Sequence, residues 1–380
     1  MDILKFSKEH NLFRERLKAF LEKEVTPYVA QWEKDHIVPK SAWQKIGKAG
    51  FLCPTIAPEY GGIGGDFLYS IIVAEELSHT AHSGLAGNLH SDVIVPYLDS
   101  FGSKEQKEKY LPGCVSGDII TAIAMTEPDA GSDLAGMKTT AIEEGDHIVI
   151  NGSKTFISNG INCDLIILAA IDPTITNKHG AVSLYLLEAN TPGFKRGRQL
   201  EKMGWNSQDT AELFFSGCRI PKTNRLGDAG SGFFQLMVKL QQERLVCAMG
   251  AVFMAERIME FITDYCKNTT VNNKPLVRSQ AVQFAIVEMT TDVKLGRTFV
   301  EKLCADHMEG EDVVIETSMA KYWTTDMVNR IAERSMDLCG ESALLESNII
   351  ARIKRDVRVM SIFAGSNEIM KGIAAKFMGM

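Results

Sequence analysis

Five short runs, IITAIAMTE, HIVINGSKTFIS, CDLIILAAI, AVSLYLLEA and TAELFF, fall between residues 119 and 229 with no helical stretch between them. They are rich in Ile, Val, Leu, Thr and Phe and are parted by Gly, Asn, Asp and Pro, so they read as strands. Strands without intervening helices are expected to pair antiparallel, in one compact β domain, a barrel or sandwich, over 119–229. Asn151-Gly152 reads as a hairpin turn. On both sides the period becomes helical. In 1–118, Phe13, Leu17, Phe20 and Leu21 recur at helical spacing, and Pro27 ends or kinks that segment. Residues 42–51, 67–80, 82–101 and 104–116 also read as helices, with the Gly- and Pro-rich 53–66 as a loop. In 230–380, the stretches 232–265, 279–309, 313–339 and 347–377 carry apolar stripes that fit a four-helix bundle. The expected fold class is α+β: an N-terminal α-helical domain, a central antiparallel β domain and a C-terminal four-helix bundle.

Charge removes several function classes. The 380 residues carry 41 Lys and Arg against 48 Asp and Glu, a formal net charge of -7. Such a chain lacks the basic excess that a phosphate backbone or an anionic membrane surface demands. No apolar run approaches the roughly 20 residues of a spanning helix. MDILKFSKEHNLFRERLKAF has no apolar signal core, so a cytoplasmic protein is expected. The 8 cysteines are scattered, with no two within four residues. That spacing gives no zinc pattern and suggests small buried apolar residues; no metal site is expected.

Four stretches offer chemistry, each with an ordinary alternative. AMTEPDAGSDL (124–134) packs Thr126, Gly131, Ser132 and acids into a tight loop after an apolar strand. It would suit a polar ligand edge, or be a simple Asx or Ser turn. SKTFISNG (153–160) puts Phe156 and Ser158 two apart on one strand face. They could flank a flat ring, or be only a half-buried residue beside an exposed one. QQERLVCAMG (241–250) sets Glu243 beside Arg244 on an apolar helix. There desolvation would raise the carboxyl's pKa and fit it for general-base work; the alternative is a solvent-facing Glu paired with Lys239. FAGSNEIMKG (363–372) is a glycine-containing break where a ligand could approach backbone, or a plain loop.

Taken together and in this order, the four stretches resemble the acyl-CoA dehydrogenase family of flavoenzymes over nearly the whole chain. NGSKTFISNG (151–160), KMGWNSQDTAELFF (202–215), QQERL (241–245) and MAKYW (319–323) also look like family segments. The character is closest to the long-chain and isovaleryl branch. The resemblance implies FAD, with Ile123, Met125 and Thr126 lining the flavin ring. Ser132 would meet both FAD and the substrate's pantetheine arm. Phe156, Ile157 and Ser158 match the family's aromatic-Ile-hydroxyl triplet, and Ser366, Asn367 and Glu368 its FAD-contacting C-terminal turn.

Many family members carry the catalytic base just before the glycine of that turn. Here the position is Ala364, which cannot accept a proton. The long-chain and isovaleryl branch places the base on a bundle helix, at the position of Glu243. Glu368 falls after the glycine, where the motif serves FAD. The resemblance therefore assigns Glu243 as base and Arg244, Ala364 and Gly365 as substrate-binding residues, with the Ala364 backbone N–H donating to the thioester carbonyl. The implied reaction is α,β-dehydrogenation of an acyl thioester, on CoA or on a carrier protein, with hydride passing to flavin. An electron-transfer flavoprotein or O2 would take the electrons. A flavin oxidase or N-oxygenase, or a non-catalytic scaffold, are the alternatives on this fold. Retention of Glu243 and both ring-facing segments weighs against the scaffold, and retention of the base weighs against N-oxygenation; oxidase versus dehydrogenase turns on oxygen access to the reduced flavin. Loss of the turn acid should leave room near Ala364 and Gly365 for a branched or cyclic acyl group.

The chain also departs from the family. The usual Arg-x-x-Phe-Gly between the first two bundle helices reads Thr269, Asn272 and Asn273, although Gln280 is kept. The usual Gln-x-x-Gly-Gly reads DLCGE, with Asp337 and Glu341. Losing a cation and adding acids beside a pyrophosphate should weaken the hold on FAD, at about 1.5–3 kcal/mol per charged hydrogen bond. The family is usually tetrameric, so a homotetramer is expected, with a dimer as the alternative because these changes fall in the subunit-shared FAD region.

Overall fold

The computed structural model describes residues 3–177 and 179–380. Helices come first: α1 (Lys8–Glu24), α2 (Val29–Asp35), α3 (Lys40–Lys48), α4 (Phe67–His79), α5 (Val95–Phe101) and α6 (Lys104–Ser116). Ser7 and Ser103 close capping boxes on α1 and α6, each satisfying two orphan N–H groups. The expected helix over 82–101 does not form as one piece. Residues 82–86 are irregular, Leu89–Ile94 is a π-helical turn, and only then does α5 begin. Gly84 and Gly87 weaken the first half, and Pro96 sits in the first turn of α5, where its missing N–H costs nothing.

The strands are β1 (Thr121–Ala124), β2 (Thr140–Glu144), β3 (His147–Ser158), β4 (Leu165–Ile171), β5 (Val182–Glu188), β6 (Phe194–Gln199), β7 (Thr210–Pro221) and β8 (Arg225–Leu226). They form one sheet in the order β6-β7-β3-β2-β4-β5-β8, with β1 added on β4. Most pairs are antiparallel, but β1 and the end of β2 run parallel to β4. The expectation of antiparallel pairing is corrected there: the 125–139 segment, whose helical piece is the short 3-10 turn Leu134–Gly136, carries the chain between the two strands. β4 and β5 read as unbroken apolar runs because both faces are covered. Leu165, Ile167, Leu184 and Leu186 pack under the N-terminal helices, whereas Ile166, Leu168, Tyr185 and Leu187 join Ile148, Ile150, Leu213 and Phe215 on the other side.

Asn151-Gly152 is not a hairpin turn. It lies within β3, where the register against β7 shifts between Ile150 and Gly152. The hairpin turns instead at Gly145-Asp146, with Gly145 at φ +60. Gly152 serves the bulge: its φ is +148, and a Cβ there would stand 2.5 Å from Thr139 Oγ1 and 2.7 Å from Thr139 Cα.

The C-terminal part is built on α7 (Gly232–Asn268), 37 residues long, followed by the two-stranded ribbon β9 (Thr270–Val271) and β10 (Lys274–Pro275). Then come α8 (Gln280–Met308), α9 (Val314–Cys339), α10 (Ile349–Val357) and α11 (Asn367–Phe377). The expected fourth long helix, 347–377, is split by a 3-10 turn and the 362–366 break. Ala251, Val252, Phe253, Ala255 and Ile258 of α7 form the bundle's centre with Met327, Val328 and Ile331 of α9 and Val300 of α8. All eight cysteines are free and buried, as their spacing suggested.

Candidate active site

A cavity of about 320 Å³ opens where helices, sheet and bundle meet. Ala74, Leu77 and Ser78 of α4 and Asn88, Leu89, Val93 and Ile94 around the π-helical turn form one wall. Glu243, Val246, Cys247, Gly250 and Met254 of α7 form the next. Met360, Phe363 and Ala364 close one side, and Ile123, Met125, Thr126, Phe156, Ile157 and Ser158 come from the sheet. Its surface is mostly aliphatic, with a few convergent polar groups, the usual make-up of a small-molecule site.

Glu243 is the acid in this wall nearest to base chemistry. It is 5% exposed, and the Tyr97 hydroxyl of α5 donates to its Oε1 at 2.6 Å. Burial lifts the carboxyl to about 7, against the opposing pulls of the Tyr97 bond, Arg244 and Lys239. The alternative of a solvent-facing Glu243 paired with Lys239 is not what forms, because Lys239 Nζ donates to Ser100 Oγ at 2.6 Å. Arg244, one residue on, is turned about 100° around the helix. It is buried, lies outside the cavity wall, and its Nε has no partner among the described residues.

The sheet residues reach the cavity by an irregularity. Simple alternation would put Phe156 and Ser158 on one face and Ile157 on the other. A second register shift between Lys154 and Ile157, with Phe156 at φ +56, breaks that alternation. Phe156, Ile157 and Ser158 consequently all border the cavity. Phe156 is 67% exposed, a large ring with no aromatic partner among the described residues. A flat heteroaromatic ring such as the isoalloxazine of FAD would fit against it, between it and the Met125–Thr126 backbone. That backbone is held from below: Thr155 N–H donates to Thr126 O at 2.9 Å, and Lys154 Nζ to Met125 O at 3.0 Å.

The turn 363–366 is also strained. Ala364 and Gly365 have φ +52 and +89, and a non-glycine residue in that region costs roughly 1–2 kcal/mol. What holds it is Lys321 of α9, whose buried Nζ donates to Gly365 O at 2.6 Å and to Asn367 Oδ1 at 3.2 Å. Among the described residues no carbonyl takes the Ala364 N–H, which leaves that donor for a ligand.

Other residues singled out from the sequence lie elsewhere. Ser132 is exposed in its loop, and Gln280 is exposed at the start of α8. Ser366 caps α11, accepting from Ile369 N–H at 3.3 Å. With exposed Glu368 it borders a separate hollow beside Asp326, Asn329 and Arg358. Gly365 meets Lys321 rather than the cavity. Thr269 is half-buried, and Asn272, Asn273, Asp337 and Glu341 are exposed. Tyr97, Lys154, Lys321 and Trp205 carry the site's geometry without having been singled out. For Lys321 a signal existed, since MAKYW stood among the quoted segments; Tyr97 had none.

The families described as acyl-CoA dehydrogenase N-terminal, middle and C-terminal domains match residues 7–118, 122–218 and 230–379. A mitochondrial long-chain specific acyl-CoA dehydrogenase of Mus musculus is 40% identical over 377 residues, 98% of this chain and 86% of that protein. The crystal structure of an acyl-CoA dehydrogenase from Geobacillus kaustophilus superposes with TM-score 0.97 at 48% identity, covering 99% of both chains. The prolyl acyl carrier protein oxidase AnaB superposes with TM-score 0.91 at 27% identity, covering 99% of this chain and all of that one (100%).

Proposed function

The chain belongs to the acyl-CoA dehydrogenase family, whose members are flavoproteins that dehydrogenate acyl-CoA thioesters, and from that premise we propose that Glu243 is its catalytic base. The single observation that carries this is the meeting, in one cavity, of a buried carboxylate, an unclaimed backbone N–H at Ala364 and an exposed aromatic at Phe156. FAD, when bound, supplies the hydride acceptor that no side chain provides. Glu243 takes the proton from the carbon beside the thioester. A carboxyl lifted to about 7 is suited to this near neutral pH. The Ala364 N–H donates to the thioester carbonyl oxygen and holds the charge that grows there as the α C–H bond breaks. Leu77, Val93, Ile94 and Val246 keep water from the acyl chain. The product is an α,β-unsaturated thioester.

The α7 wall from Glu243 to Met254 runs about 16 Å at 1.5 Å per residue. That accommodates an extended chain of roughly a dozen carbons at the advance per bond of extended geometry, so the substrate is a medium to long acyl group. This agrees with the name of the mouse relative. A methyl at Ala364, where an acid stands in other members, leaves space for branching near the thioester. CoA is the carrier favoured by the relatives' names; a carrier-protein thioester is the second reading, favoured by the likeness to AnaB. An exposed stripe of Phe284, Val287 and Leu295 on α8 supports self-association, as a homotetramer or dimer. The electron acceptor, an electron-transfer flavoprotein or O2, is decided by measuring O2 consumption.

The base assignment is tested by mixing flavin-loaded Glu243→Gln protein anaerobically with acyl-CoA. The variant is expected to keep its flavin spectrum and to bleach at least about 100-fold more slowly than wild type. Bleaching at the wild-type rate removes Glu243 from the reaction.

A further inference from the structure

Glu243 has two carboxylate oxygens, and they are not equivalent. Its side chain lines the cavity, whereas Tyr97 does not. The Tyr97 hydroxyl donates to Oε1 at 2.6 Å from behind the wall, and Tyr97 is fully buried (0% exposed). Among the described residues Oε2 makes no hydrogen bond. We propose that Tyr97 is a positioning residue: it fixes Oε1 of Glu243 from behind the cavity wall, so that Oε2 is the oxygen presented to the substrate's α-carbon. This rests on Glu243 being the base.

The local structure explains why a tyrosine reaches that point. Tyr97 stands in the first turn of α5, directly after the π-helical turn Leu89–Ile94. Single π turns inside helices commonly mark functional sites. Here the turn also supplies Leu89, Val93 and Ile94 to the wall, so one irregularity opens the cavity and aims the phenol. Gln242 Nε2 donates to Asp92 O at 2.7 Å and fastens α7 to the same turn. The distance between phenol and carboxylate is therefore set by backbone packing on both sides.

The bond also decides which protonation state is ready. A donor to a carboxylate favours the ionised form. Burial pushes the phenol's own pKa upward, so it remains a donor across the working pH range. The other groups acting on Glu243 are Arg244 and Lys239 of its own helix. Lys239 is occupied by Ser100 Oγ and faces Asp99; Lys321, from α9, acts on Arg244 and Cys247 rather than on Glu243. Among the described residues Tyr97 is thus the one hydrogen-bond donor to Glu243 from a packed neighbouring element, and its removal leaves burial less opposed.

The test is the pH profile of kcat/KM for flavin-loaded wild type, Tyr97→Phe and Glu243→Gln with one acyl-CoA. The acid limb of wild type reports deprotonation of the base. In Tyr97→Phe the limb is expected to move up by about one pH unit. Activity would fall about tenfold below the limb and return towards wild type above it, with flavin content unchanged. If Glu243→Gln retains wild-type turnover, the base reading itself fails. If Glu243→Gln is inactive while the limb of Tyr97→Phe stays in place, the base stands and the role of Tyr97 is overturned. Should Tyr97→Phe not fold, replacing tyrosine throughout with 3-fluorotyrosine reads the same bond in the other direction. The more acidic phenol donates more strongly and should lower the limb; an unmoved limb overturns the proposal.

Discussion

Lys154 Nζ and Glu127 Oε1 form an ion pair of 2.8 Å with both side chains buried, directly beneath the backbone that faces the cavity. Burial lowers the lysine to about 8. Burial would raise the Glu127 carboxyl, but the hydrogen bonds from Lys154 and Thr139 overcome it and hold the carboxyl below its ordinary value. Without Lys154, the buried Glu127 keeps only the N–H groups of Lys138 and Thr139 as partners. Lys154→Met should lose about 3–5 kcal/mol of stability, and Glu127→Leu, which strands Lys154 and orphans both N–H groups, should lose at least as much. Denaturant unfolding of the three proteins measures the difference.

Lys321 does for the turn what Lys154 does for the strand end. Lys321→Met releases Gly365 O, while Asn367 stays held by Thr325, Tyr322 and Asp326, and nothing else among the described residues anchors the Gly365 carbonyl. The Ala364 N–H should then lose its aim. A fall in kcat of about 10- to 100-fold is expected, somewhat less than deletion of an oxyanion donor. Steady-state kinetics with flavin content measured in parallel checks it.

Gly250 sits midway along the α7 wall, and a Cβ there would meet only Met360 Cε, at 3.6 Å. Gly250→Ala should fold at least as well as wild type, because a mid-helix glycine costs about 1 kcal/mol relative to alanine. Gly250→Leu should shorten the usable cavity. Its kcat/KM for long acyl chains should drop more than tenfold relative to short ones; a chain-length series of acyl-CoA substrates provides the ratio.

Asp356 is buried, accepts from Trp205 N–H at 2.6 Å and from Ser83 Oγ at 3.0 Å, and titrates at about 6, raised by burial. A carboxyl raised on folding binds its proton more tightly in the folded state. The stability linked to it is therefore full below the unfolded value near 4 and is lost as pH climbs through about 6. A shift of this size corresponds to roughly 3 kcal/mol. Asp356→Asn should flatten the fall of stability between pH 4 and 6; thermal melts across that range show it.

Much of this was legible in the residues. The alternation of helical and β texture gave the order of the parts, because period 3.6 and period 2 leave different traces even without contacts. Glu243 stood out as an acid in an apolar helix. What stayed hidden depended on backbone irregularity. Gly152 serves a bulge through a close approach to Thr139, which no dipeptide signal distinguishes from a turn. Phe156, Ile157 and Ser158 share a cavity only because the ladder slips between Lys154 and Ile157. Tyr97 meets Glu243 across 146 residues of sequence, a distance that no local pattern spans. Ser132, Gln280, Ser366 and Glu368, drawn from motif likeness, lie outside the cavity of the single chain.

The π-helical turn at Leu89–Ile94 has one more effect. Widening by a residue at this point rolls everything after it by about 100° relative to an ordinary helix. Trimming any one position from that stretch would swing the phenol out of reach of the acid and narrow the cavity in the same stroke. Fit and reactivity are geared to a single residue count, so neither is adjustable alone by deletion here.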